Sequence, residues 1–67
     1  MMERKDVILK LAQIRTERNI SQYELSLRLD KTHTYIHEVE KGKNSISLEM
    51  FLRICKELDV DPATVFS

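Results

Sequence analysis

The chemically versatile side chains of this 67-residue sequence gather in one stretch, THTYIHEVEKG at residues 32–42. It holds both histidines, His33 and His37, interleaved with Thr32, Thr34, Tyr35, Glu38 and Glu40. Histidines four residues apart share one face of a helix and could ligate one metal ion. A hydrolytic zinc helix, however, needs Glu directly after the first His and a third protein ligand from elsewhere. Thr34 follows His33 here, and the chain has no further histidine. Neither a metal nor a cofactor is therefore expected. Covalent chemistry has as little to build on: the lone Cys55 lies in an apolar run without an adjacent base. One glycine in the whole chain makes no phosphate cradle, and no paired carboxylates suggest a cleft, so an enzyme is not expected. The polar groups of 32–42 are then either solvated decoration or a surface offered to a partner.

Bulk properties narrow the partner. Lysines and arginines number 11 and acidic residues 11, so the net charge is zero, which argues against indiscriminate binding to nucleic acid. The distribution is uneven: residues 1–43 hold nine basic and seven acidic side chains, residues 44–67 two and four. A weakly basic face in the first part is permitted. A single cysteine needs no oxidising compartment. No secretory leader is visible, and no run approaches the roughly 18 apolar residues of a membrane span. A cytoplasmic location is expected, with no membrane and no small-molecule substrate.

The elements that must carry the stretch are short helices with legible stops. Val7, Leu11 and Ile14, with Ile8 and Ala12 beside them, recur at helical spacing from about Asp6 to Arg18, and Asn19 stops that helix. Ser21-Gln22-Tyr23-Glu24 matches a capping box, with Ile20 and Leu25 placed to staple the entry. Leu25 and Leu29 share a face, and the second helix should end near Leu29 or Asp30. Thr32 is the cap candidate of a third helix, which buries Ile36 and Val39 and stops at Gly42. Ser47 caps a fourth helix whose apolar positions are Leu48, Phe51, Leu52, Cys55 and Leu58, with Ile54 alongside. Asp61-Pro62 opens a fifth, with Val65 and Phe66 expected to face inward. Residues 1–67 thus read as one compact all-α domain of five helices.

Only Asp30 and Lys31 separate Leu29 from Thr32, so helices two and three must meet steeply, as in a helix-turn-helix. At this point the sequence resembles the Cro/CI-type (XRE-type) regulators of the lambda-repressor-like fold. The resemblance is carried by Ile20-Ser21-Gln22, Glu24-Leu25, Leu29, Tyr35-Ile36, Val39-Glu40-Lys41-Gly42-Lys43, Ser47-Leu48-Glu49 and Leu58-Asp59-Val60. The stretch TYIHEVEKGKNSISLE looks in particular like the small controller proteins of restriction–modification systems. The family's helix-turn-helix falls on about residues 21–41.

The resemblance implies a transcriptional regulator, repressor or controller, that binds duplex DNA sequence-specifically with its third helix in the major groove. With Ile36 and Val39 in the core, His33 and Thr34 in the first turn and His37 and Glu38 in the second face outward as base-reading candidates. Threonine offers a hydroxyl and a methyl for thymine, histidine a donor for guanine, glutamate an acceptor for cytosine N4. By the same resemblance Gln22, Thr32, Tyr35, Lys41, Lys43 and Asn44, with Ser45, would hold the backbone. Tyr35 suits a phosphate contact and the core edge equally. Arg15 and Glu40 match a pair that forms an interior salt bridge in phage repressors. One recognition helix touches few base pairs, so a homodimer on a near-palindromic operator is expected, with the end of helix four and Val65, Phe66 and Ser67 as its surface.

The sequence also departs from the family. Asp30 stands where the turn usually has glycine, so it adopts a left-handed conformation or the turn differs. Lys31 replaces a small apolar residue, with a stem that could snorkel. Ser26 replaces alanine at the helix crossing. A different class of function fits the same helices: a protein-interaction module such as an antitoxin or assembly factor, for which zero net charge suffices.

Overall fold

The computed structural model describes residues 3–66 as five helices: α1 (Arg4–Glu17), α2 (Gln22–Arg28), α3 (Tyr35–Glu40), α4 (Leu48–Glu57) and α5 (Pro62–Val65). Ser67, which the sequence suggests for a dimer surface, lies outside the described residues. Each helix starts where a side chain can take up amides that the first turn leaves without partners. Ser21 and Ser47 accept from Glu24 N–H and Met50 N–H at 3.0 and 3.1 Å, and Asp61 accepts from Ala63 N–H at 2.9 Å. α1 begins earlier than the apolar periodicity suggests, because the Asp6 carboxylate accepts from Glu3 N–H at 3.0 Å and so fixes the entry one turn upstream. The capping box at Ser21 is only half made. Glu24 turns away from the cap and pairs with Arg28 one turn on.

The ends follow one rule. Asn19, Asp30, Gly42 and Asp59 take φ of 60°, 60°, 85° and 56° after α1, α2, α3 and α4. In each case the next amide reaches back to the carbonyl five residues before it, as in Lys31 N–H to Ser26 O at 3.0 Å and Lys43 N–H to Glu38 O at 2.9 Å. This is the Schellman closure. Asp30 therefore does the work of the missing glycine by going left-handed, which a short polar side chain tolerates.

The core is formed by Leu11, Ile14, Leu25, Leu29, Ile36, Met50, Phe51, Ile54, Cys55, Leu58 and Val65, with Val7, Ile20, Tyr35, Ile46 and Val60 packed at its margin. Two expectations fail at the C-terminal side. Leu48 and Leu52, assigned to the apolar face of α4, are 73% and 46% exposed: the buried stripe keeps Phe51, Ile54, Cys55 and Leu58 of the expected positions and takes Met50 in place of the two leucines. Phe66 is 58% exposed rather than inward, its ring leaning on Phe51 at 5.6 Å. Val65 is fully buried, which removes it from any dimer surface. Burial also raises the Cys55 thiol pKa, with the Asp61 carboxylate adding to the effect, so this cysteine stays an inert core group.

Arginines brace the helix ends. Arg18, the C-cap of α1, donates to Leu58 O at 2.7 Å and Asp59 O at 3.2 Å, and Arg53 of α4 donates to Leu29 O at 3.2 Å. Both take up carbonyls that have no partner within their own helix.

Candidate nucleic-acid interface

α3 is shorter than the sequence suggests. Thr32 is not its cap: Thr34 occupies that position without a side-chain bond, and Thr32 uses only its carbonyl, accepting Tyr35 N–H at 3.0 Å. His33 and Thr34 consequently lie in the turn ahead of α3 rather than in its first turn. With Thr34 at the cap, the amide left for a capping side chain is that of Ile36, and it is met from the other helix. Ser26 Oγ, buried completely in α2, donates to Gln22 O at 2.8 Å and accepts from Ile36 N–H at 3.0 Å. The serine at the helix crossing is thus a cap supplied in trans, and it pins the start of α3 onto α2. Replacing Ser26 with alanine leaves the buried Ile36 N–H without a partner; an unfolding titration should show a loss of about 1–3 kcal/mol.

Behind the interface stands an ion pair. The Arg15 guanidinium grips Glu40 with two bonds, Nε to Oε2 at 2.9 Å and Nη2 to Oε1 at 3.2 Å, and Nη1 donates to Ile20 O at 2.8 Å. The two side chains are 14% and 17% exposed, so water screens them poorly. Glu40 also accepts from Gln22 Nε2 at 2.7 Å, and Gln22 Oε1 lies 3.3 Å from His37 Nδ1. A chain of polar contacts therefore runs from α1 through the end of α3 and the start of α2 to the outward face of α3. With its proton on Nδ1, His37 donates to Gln22 and keeps Nε2 as an outward acceptor. Gln22 retains one amide hydrogen for a further partner.

In front, His33, Thr34 and His37 are exposed, and Glu38 is half-buried, while Ile36 and Val39 are buried behind them. The polar ridge is one surface. Tyr23, unnoticed in the sequence, belongs to it: its ring is 58% exposed and lies 5.7 Å from the His33 ring at 36°. Its place in the first turn of α2, two residues before the buried Leu25 and so on the other side of the helix, was the signal. Tyr35 is half-buried against the core, with Lys31 Nζ 5.3 Å from its ring centre. Lys31, which replaces a small apolar residue, thus lays its charge on an aromatic face. Burial raises the Tyr35 phenol pKa, an effect that the nearby Arg53 charge opposes, so the hydroxyl remains a donor. Lys41, Lys43, Asn44 and Ser45 are all exposed in the loop after α3, which Gly42 turns. Among the described residues no group of three or more His, Cys, Asp or Glu is placed to hold a metal ion.

Comparison with known proteins identifies this arrangement. The helix-turn-helix family model matches residues 11–65. The chain belongs to the XRE-type helix-turn-helix family. It is homologous to the control protein C.BamHI of Bacillus amyloliquefaciens, at 39% identity over 54 residues, covering 79% of this chain and 67% of that protein. Its fold is shared with the restriction–modification controller protein C.AhdI of Aeromonas hydrophila, at TM-score 0.79, 27% identity, 90% of this chain and 91% of that one. The clp gene regulator ClgR of Corynebacterium glutamicum superposes at TM-score 0.86 with 23% identity, covering 98% of this chain and 70% of that one. The helix-turn-helix protein is accordingly a DNA-binding transcriptional regulator. No helix among its described residues is long and apolar enough to cross a membrane.

Proposed function

We propose that the protein is a cytoplasmic regulator that reads a specific operator by laying α3 in the major groove, acting on a restriction–modification system or a comparable gene set. The observation that carries this reading is the contrast across α3 and the turn that leads into it: Ile36 and Val39 are buried, while His33, Thr34 and His37 stand in solvent. Solvated polar groups ordered on a rigid backing can exchange water for base edges with little rearrangement. His33, Thr34, His37 and Glu38 are the base readers in this account. Gln22 with its remaining amide hydrogen, Thr32, Tyr35, Lys41, Lys43 and Asn44 set the register on the phosphates.

The reading includes a second copy of the chain. Leu48 and Leu52, one turn apart on α4, and Phe66 after α5 are the exposed large apolar side chains of the C-terminal part, and the dimer interface in this reading is drawn from them. Covering them in a two-fold dimer would present two α3 helices to half-sites about 34 Å apart.

Selection of random duplexes by the purified protein tests the proposal, and enrichment of a near-palindromic motif is the expected result. His33→Ala or Glu38→Ala should then change preference at individual positions by about 1–3 kcal/mol. Lys43→Ala should weaken all sequences alike and lower the slope of log affinity against log salt by about one. No enriched motif, together with affinity indifferent to salt, would favour a protein-interaction module instead.

A further inference from the structure

The partners of the basic side chains divide them into two groups. Arg15, Arg18, Arg28 and Arg53 are engaged by carboxylates or backbone carbonyls, and Lys31 stands over Tyr35. Arg4, Lys10, Lys41, Lys43 and Lys56 have no such partner among the described residues, and Lys5 only a distant, exposed one in Glu3 at 4.0 Å. Four of these six, Arg4, Lys5, Lys41 and Lys43, line a single groove of about 480 Å³ between the start of α1 and the loop after α3, with Ile8 and Ile46 in its wall. Glu40, the lone acidic residue lining it, is already satisfied by Arg15 and Gln22. A chain without net charge has thus collected an uncompensated positive groove.

We infer that the DNA-backbone surface continues from the loop after α3 onto the first turn of α1, where Arg4 and Lys5 contact phosphates of the strand held by Lys41 and Lys43. The inference rests on the DNA-binding reading above and adds residues from outside the helix-turn-helix. Its physical basis is continuity: a phosphate strand lying on Lys41, Lys43 and Asn44 meets two more cations across the same groove. Long, exposed side chains on a helix end reach a flexible polyanion without distorting the fold. An acidic polypeptide would satisfy the same charges, but it would have no reason to share a groove with the loop that follows the recognition helix.

The test uses the whole chain carrying R4Q and K5Q together, assayed on the selected operator over a range of salt. Each neutralised phosphate contributes about 0.9 to the slope of log affinity against log salt. The slope should therefore fall by about 1.8, so that the loss at 50 mM salt exceeds the loss at 200 mM about twelve-fold. The selected motif should stay the same, since phosphate contacts carry no base information. An unchanged slope in this variant, with Lys43→Ala still lowering it by one, would overturn the inference and leave the operator reading intact. Unaltered slopes in both variants would overturn the inference too, and would take the phosphate contact from Lys43 as well. If R4Q/K5Q leaves DNA affinity alone but abolishes binding of polyglutamate, the groove takes acidic protein and the inference is wrong.

Discussion

Glu40→Ala is expected to destabilise the domain by about 3–5 kcal/mol, the cost of stranding one member of a poorly solvated ion pair. A chain of this size has a total stability of only about 3–10 kcal/mol. Much of the variant should therefore be unfolded at ambient temperature, visible as an early or absent transition in urea. The size of the effect follows from what the carboxylate holds. Two guanidinium bonds from Arg15 and one amide bond from Gln22 end on it. Without it, the Arg15 cation stays in a site with little access to water, and Gln22 loses its anchor behind His37. Exchanging both partners for apolar side chains of similar volume, Arg15→Met with Glu40→Leu, should recover most of the loss, because no unpaired charge then remains. Single and double variants that unfold alike would mean that shape, not charge, sets the cost. A single Glu40→Ala within 1 kcal/mol of the parent would mean that the pair is effectively solvated.

Leu29→Ala should cost about 2–5 kcal/mol. Leu29 closes α2, is completely buried, and lends its carbonyl to Arg53 of α4, so it sits where α2, α4 and the turn to α3 meet. Truncation opens a void there that backbone arms cannot fill, since Asp30 and Lys31 are committed to the Schellman closure that follows. Leu27→Ala, two residues earlier and half-exposed, is the control and should stay within about 1 kcal/mol. Denaturant midpoints for the pair separate a core effect from a helix-propensity effect. Equal losses at the two positions would refute the assignment of Leu29 as the keystone of the turn.

Several features of the site were legible in the residues because their causes are local. Ser21, Ser47 and Asp61-Pro62 announce helix starts, and they cap α2, α4 and α5 through their own oxygens. The outward placement of His37 followed from Ile36 and Val39 lying on the opposite side of α3, whereas His33 and Thr34 are exposed in the turn ahead of the helix. What escaped depended on other segments. Thr32 had the right chemistry for a cap, yet Ser26 took the role from ten residues before Ile36 in the chain. The contact of Tyr23 with His33 needs the angle between α2 and the turn before α3, which no spacing rule contains. Leu48, Leu52 and Phe66 are apolar by type, but whether they enter the core was decided by the rotation of α4 and the length of α5.

The sequence alone determined how many helices form, where each ends and which face of α3 is apolar, because those outcomes depend on side chains and amides within one or two turns. The tertiary structure decided which oxygen caps α3, which leucines stay in water, and which cations gather in one groove. Each of these is a contact between residues far apart in the chain, and such contacts exist only once the core has set the angles between helices.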